Sequence, residues 1–190
     1  MKTGALIIAS GDYGEEQRDN EGIPMFLPMY PLDGTTVIKG EIAKLRKAGI
    51  SPIVVLTGCH CETLKLHLSH NNVIFLEDKD YREHSFEEAL ALGLEGCAPL
   101  MERVLVLPVE YPACADSTIK ALLAAEKSAI PIYEGQEGWP RSVILSEPEM
   151  NPTEKINFDF ETGSQILSTE DPGITYSLQE EGGVERVTRY

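Results

Sequence analysis

Three places in the chain bring together residue types that could do chemistry. The first is Ala9-Ser10-Gly11, which closes the apolar run Ala5–Ala9. A glycine at the end of a buried strand lets backbone amides come close to a ligand. The turn has neither the Gly-x-Gly-x-x-Gly of a dinucleotide site nor the Gly-Lys-Ser/Thr of a P-loop. On its own residues it reads first as a plain strand-to-loop turn. The second place is Leu107-Pro-Val-Glu-Tyr-Pro112, where Glu110 follows a very apolar stretch. Mg²⁺ is commonly held by one or two carboxylates plus phosphate oxygens and water, and a carboxylate past a central strand suits that role. A solvated loop glutamate between two prolines is the plainer reading. The third is Cys59-His60-Cys61, with His67 and His70 nearby. These ligand types suit zinc, but Cys-x-Cys is shorter than the usual spacing and no second pair follows. Packing and surface roles are therefore the first expectation. Cys114 lies near Glu110 as a possible thiol nucleophile, without a histidine close in sequence. Trp139 could stack on a base or simply anchor packing.

Charge narrows the partners. There are 16 basic and 31 acidic residues, a net charge of −15. Nucleic acids and anionic membranes attract basic patches, so neither is an expected partner. The acid is uneven. Residues 134–190 hold 12 acidic and four basic residues. Between Asp12 and Glu21 lie five carboxylates (Asp12, Glu15, Glu16, Asp19, Glu21) and one base, Arg18. No stretch approaches the ~18 apolar residues of a membrane span, and Ala5–Ala9 is too short for a signal-peptide core. Four cysteines without secretory context are expected to be reduced thiols in a cytoplasmic protein. A chain of 190 residues fits one domain over 1–190, large enough to bury a core without staples.

The elements that must position these residues alternate. Gly4–Ala9, Pro52–Thr57, Val73–Leu76 and Val104–Pro108 are short apolar runs that read as buried strands. Ile130–Tyr133 and Ser142–Leu145 read as later strands. Helical spacing appears over Thr36–Ala48, Cys61–Leu68, Ser85–Gly93 and Asp116–Ala125. Ser85 is the expected cap of the third helix, and Asp116 or Ser117 of the fourth. Residues 10–34 read as a long loop, and from about Ser146 the chain turns polar, acidic and turn-rich. Strands alternating with helices predict an α/β domain with a mostly parallel sheet. Ligands in such sheets bind at the carboxyl ends of strands. The loops after Ala9, Gly58, Leu76 and Leu107 are the expected site.

Taken in order, these segments resemble the MobA-like NTP-transferase family, in particular the molybdenum-cofactor cytidylyltransferases. Gly4-Ala-Leu-Ile-Ile-Ala-Ser-Gly11 looks like the family's first strand and nucleotide-binding turn. Phe26-Leu-Pro28 and Gly34-Thr-Thr-Val-Ile38 look like its lead into the first helix. Asp80-Tyr81 with Ser85-Phe-Glu-Glu-Ala-Leu-Ala-Leu-Gly-Leu94 is similar to its Asn-Pro-Asp-Tyr…Ser-x-x-x-Gly-Leu block. Leu107–Pro112 with Thr118-Ile119 matches Leu-Pro-x-Asp-x-Pro…Thr-Ile, and Gly135-Gln-Glu-Gly-Trp-Pro140 its Gly-x-x-Gly-His-Pro turn. The resemblance implies a three-layer α/β/α, Rossmann-like nucleotidyltransferase domain. It implies attack of a cofactor phosphate on the α-phosphate of an NTP, with loss of pyrophosphate.

Several family positions differ here. The Arg-Met-Gly core that should follow Gly11 is absent, and the family's lysines fall at about Pro24 and at Thr35. Glu110 stands for the metal-binding Asp. Ser177 and Gln179 stand where the family's Gly-Val-x-x-Asp-Ile-Asp has carboxylates. Two unit charges ~4 Å apart interact by roughly 4 kcal/mol at an effective dielectric of ~20. Exchanging attracting cations for carboxylates around a triphosphate is therefore severe, and activity is expected to be weak or lost. If activity survives, the resemblance gives Ala9, Ser10, Gly11 and Arg18 to the nucleotide and Glu110 to Mg²⁺. Ala9-Ser10-Gly11 leans slightly to CTP over GTP, with a phosphorylated cofactor as acceptor. Two other readings stand beside this one. The scaffold could serve a non-catalytic regulatory or interaction protein with a protein partner, or a site repurposed for a less anionic ligand.

Overall fold

The computed structural model describes residues 1–11, 26–145, 164–180 and 182–190. The elements run β1 (Thr3–Ala9), β2 (Pro31–Leu32), β3 (Thr35–Thr36), α1 (Val37–Lys47), β4 (Ile53–Thr57), α2 (Cys61–His67), β5 (Ile74–Glu77) and α3 (Phe86–Cys97). They continue with β6 (Arg103–Pro108), α4 (Asp116–Ala124), β7 (Ala129–Tyr133), β8 (Gln136–Glu137), β9 (Arg141–Ile144), β10 (Gln165–Ser168) and α5 (Gly183–Arg189). The main sheet is ordered β10-β7-β9-β6-β1-β4-β5, with β8 on β7.

β1 sits inside this sheet, parallel to β4 on one edge and to β6 on the other. Its side chains alternate between the two faces. Ala5, Ile7 and Ala9 pack with α1, α2, α4 and α5, while Leu6 and Ile8 pack with α3. Burial on both faces explains why the strand is continuously apolar. The result is the expected three-layer α/β/α arrangement. β9 departs from parallel order: it lies antiparallel to β6 and contacts β7 in the same sense.

Three boundaries differ from the sequence reading. Gly93 does not end α3, which continues to Cys97. Its missing side chain serves packing, since a Cβ there would lie 2.6 Å from Cδ2 of the fully buried Leu6. Ser85 caps α3 as expected, in a capping box with Glu88. Neither Asp116 nor Ser117 caps α4. The cap position is Ala115, and Asp116 is the first helical residue, paired to Lys47 at 2.6 Å. The stretch after Ser146 is not merely a polar tail. It supplies β10 and α5, and Ile174, Leu178 and Val187 are buried in the core.

One buried charge holds this later part in place, and a second closes the end of α4. Asp171 accepts from Ala115 N (2.8 Å) and Thr118 Oγ1 (2.6 Å) on one oxygen. On the other it accepts from Gly173 N (3.0 Å) and Tyr190 Oη. Burial first, and then Asp171, push the Tyr190 phenol up, so it remains a protonated donor. Arg103, at the start of β6, donates to the carbonyls of Leu122, Leu123 and Ala125. It neutralises the negative end of α4, whose last turn carries no base of its own.

Glu41 on α1 is the opposite case. It is 2 % exposed, and neither carboxylate oxygen has a hydrogen-bond partner. Burial pushes its carboxyl well above the usual range, Lys44 works against that shift, and Glu110 adds to it. A raised folded value means that the folded state keeps a proton the unfolded chain releases. Stability therefore falls as pH rises from the ordinary carboxylate range through the folded value. Glu41→Leu is expected to stabilise the protein by about 1–3 kcal/mol at neutral pH. Urea unfolding at pH 5 and pH 7.5 should show the larger gain at pH 7.5.

Candidate functional site

The carboxyl ends of β1 and β6, with the loop after β5, open toward one cavity of about 180 Å³. Its walls include Ser10, Gly11, Tyr81, His84, Phe86, Glu110 and Gln179. Backbone bonds set these loops. Val109 N donates to Ile8 O at 3.0 Å, which places the turn carrying Glu110 beside the end of β1. Leu178 N donates to Glu110 O at 2.8 Å and brings the later segment, with Gln179, alongside. Gly58 allows a close approach behind Ser10: a Cβ there would meet Ser10 O at 2.4 Å and Tyr81 Cβ at 2.6 Å. On the far side of Glu110, Lys44 Nζ bonds the carbonyls of Pro112 (2.8 Å) and Cys114 (2.6 Å), tying this loop to α1.

Ser10, Gly11 and Glu110 are thus gathered at one site from opposite parts of the sequence. Ala9 is not in the wall; its side chain is buried in the core. Arg18 lies outside the described residues. Gln179, which stands at a family carboxylate position, joins the site together with Tyr81 and Phe86. His84 went unnoticed in the sequence reading. Its Nδ1 lies 2.9 Å from Oδ1 of Asp78, a carboxylate 1 % exposed. The only local signal was two acids, Asp78 and Asp80, shortly before a histidine at a helix start. Asp78 holds the His84 imidazole above its ordinary value, and Glu88 and Asp80 add to this.

At the rim Trp139 packs edge-to-face on Phe86, with ring centroids 5.5 Å apart. The Arg141 guanidinium lies 4.4 Å over the indole. The tryptophan is an anchor between α3 and β9, and its partner Phe86 faces the cavity.

A family model for the MobA-like NTP transferase domain matches residues 28–162. The chain belongs to the MobA-like NTP transferase family. Solved structures agree on the fold. A nucleotidyl transferase from Methanothermobacter thermautotroptrophicus superposes with a TM-score of 0.76 at 17 % identity, covering 99 % of this chain and 96 % of that one. Rv0371C from Mycobacterium tuberculosis H37Rv, in complex with manganese, gives 0.71 at 12 % identity over 100 % and 99 %. The 4-diphosphocytidyl-2C-methyl-D-erythritolsynthase of Anaerococcus prevotii gives 0.66 at 14 % identity over 99 % and 95 %. No curated protein matches the sequence.

This MobA-like domain does not assemble the cysteine–histidine cluster into a metal centre. His67 Nε2 shares a hydrogen bond with Thr36 Oγ1 at 2.9 Å, and the His60 ring packs on Phe26. Among the described residues the metal-capable group is Cys61, Glu62 and Glu77. The Lys65 ammonium already sits there, 2.9 Å from Glu62 and 3.3 Å from Glu77. A divalent cation at Glu110 would draw further ligands from substrate oxygens. The hard oxygen donors of Glu110, Gln179 and Ser10 suit Mg²⁺ chemically. Among the described residues no helix is long and apolar enough to cross a membrane.

Cys114 is unsuited to nucleophilic work. It is 3 % exposed, and burial followed by Asp171 pushes its thiol far up. Cys97 is buried as well and pushed up to about 12. Cys59 is buried, whereas Cys61 is partly open. A thiol reagent at pH 8 is expected to modify about one equivalent rapidly in the native protein, mapping to Cys61. All four should react after denaturation, as mass spectrometry would count.

Proposed function

We propose that this MobA-like domain, one unit over residues 1–190, binds nucleoside triphosphate at the Ser10–Glu110 cavity and transfers nucleotidyl groups weakly or not at all. The parent reaction is attack by a phosphorylated acceptor, of the molybdenum-cofactor type, on the α-phosphate, with CTP ahead of GTP. Nucleotidyl transfer rests on positioning and on charge stabilisation around the phosphates. The observation that carries the reading is the cavity's own donor set. Glu110 is its one carboxylate, Gln179 stands where the resemblance expects an acid, and no lysine or arginine lines the wall among the described residues.

The residues present still support binding. Ser10 and Gly11 would meet the nucleotide through the turn after β1. Glu110 would hold Mg²⁺ together with phosphate oxygens, and the metal would supply charge neutralisation at the phosphates. Gln179 offers a neutral amide in place of a second negative ligand. That leaves the cation held by one protein charge, which is the weaker arrangement.

Pyrophosphate release from CTP or GTP with molybdopterin and Mg²⁺ tests this directly. The wild type is expected to run on the order of 10²–10³-fold below an active cytidylyltransferase, the range seen when one charge-stabilising group is removed. Gln179→Asp is expected to raise release by restoring an acid opposite Glu110. Robust turnover by the wild type would overturn the reading. A thermal shift with CTP but no turnover would favour a regulatory role on the same scaffold.

A further inference from the structure

His84 stands out because of what surrounds it. Among the described residues lining the cavity it is the one side chain able to carry positive charge. The same wall holds Glu110, and otherwise hydroxyl, amide and apolar groups. The imidazole is also fixed in place. His84 N donates to Asp80 O at 3.0 Å, and the ring's Nδ1 sits 2.9 Å from Asp78 Oδ1. Asp78 is itself anchored, since its Oδ1 accepts from Asp80 N at 3.1 Å and its backbone N donates to Thr57 O at 2.7 Å. Its second oxygen is buried without a hydrogen-bond partner. With Nδ1 turned to Asp78, Nε2 is the nitrogen left for a ligand. The amino-terminal end of α3 begins one residue on, with Ser85 and Phe86 in the same wall.

We propose that His84 is an anion-binding residue of this site, its Nε2 side donating to a phosphoryl oxygen of the substrate while Asp78 positions the ring. This rests on the reading of the cavity as a phosphate-bearing site. It gives the cavity a positive group in place of the missing lysines and arginine. It also makes binding depend on protonation. Glu110 lines the same cavity, and among the described residues the charged groups acting on the ring are Asp78 and Asp80 from the loop after β5 and Glu88 from α3, all acids that favour the imidazolium. An arriving phosphate does the same, so proton and phosphate bind cooperatively.

The test follows the His84 imidazole by NMR through a pH titration, alone, with inorganic pyrophosphate, and with CTP–Mg²⁺. His84→Gln assigns the signal among the four histidines. Pyrophosphate is expected to raise the His84 midpoint by about one unit, equivalent to tenfold tighter binding by the imidazolium than by the neutral ring. Across that midpoint the affinity for pyrophosphate should fall about tenfold further in the wild type than in His84→Gln, which shows the ligand's own ionisation alone. Asp78→Asn should lower the midpoint without moving the ligand. If CTP binds while the His84 midpoint stays fixed, the proposal falls and the nucleotide reading stands. If pyrophosphate moves His84 but CTP does not bind, the anion site stands and the nucleotide reading falls. If neither ligand binds, both are overturned.

Discussion

The pairing of β1 with a parallel neighbour on each edge is the constraint on which the rest depends. Parallel strands end at the same side of a sheet, so β4, β1 and β6 deliver Gly58, Ser10 and the Glu110 turn to one place. The strand is fully buried from Gly4 to Ala9, which leaves no freedom to slip. A shift of one residue would send Leu6 and Ile8 to the wrong face. The geometry of the cavity is therefore inherited from the core. Its chemistry comes from the loops, and these can change without disturbing that register.

Buried charge is treated in two ways in this protein. Asp171 is satisfied by backbone and hydroxyl partners, Arg103 gives both terminal nitrogens to carbonyls while its Nε has none, and both fasten distant segments together. Glu41 is buried with no such partners. The difference lies in whether a helix end or a loop amide is within reach, because a desolvated carboxylate is tolerable only when its lone pairs are occupied. The Asp78–His84 pair sits between these cases: one carboxylate oxygen is used and the other is not.

The elements that announced themselves in the sequence were those with a strong local signal. β1, β4 and β6 are unbroken apolar runs, and Ser85 with Glu88 spells a capping box. Ser10, Gly11 and Glu110 follow because strand ends define the site in such sheets. What stayed hidden depends on distant partners. Asp171 holds Ala115 from 56 residues away, so nothing near Asp116 reveals why its side chain is not the cap. Ile174, Leu178 and Val187 are too sparse among polar neighbours to read as core. Gly93 looks like a helix stop because its actual reason, Leu6, is far off in sequence. His84 was invisible because its importance lies in Asp78 and in the cavity, not in any spacing.

The contact of Gly93 with Leu6 also limits how this architecture can diverge. α3 lies so close to β1 that a side chain at that position must displace either the buried Leu6 or the helix. The helix is thereby pinned, and with it the wall that carries Ser85 and Phe86. A descendant protein that acquires a new ligand is left with the loops as its material for change. The distance between that wall and the end of β1 then acts as a fixed gauge, setting how wide a group can enter long before any particular side chain selects it.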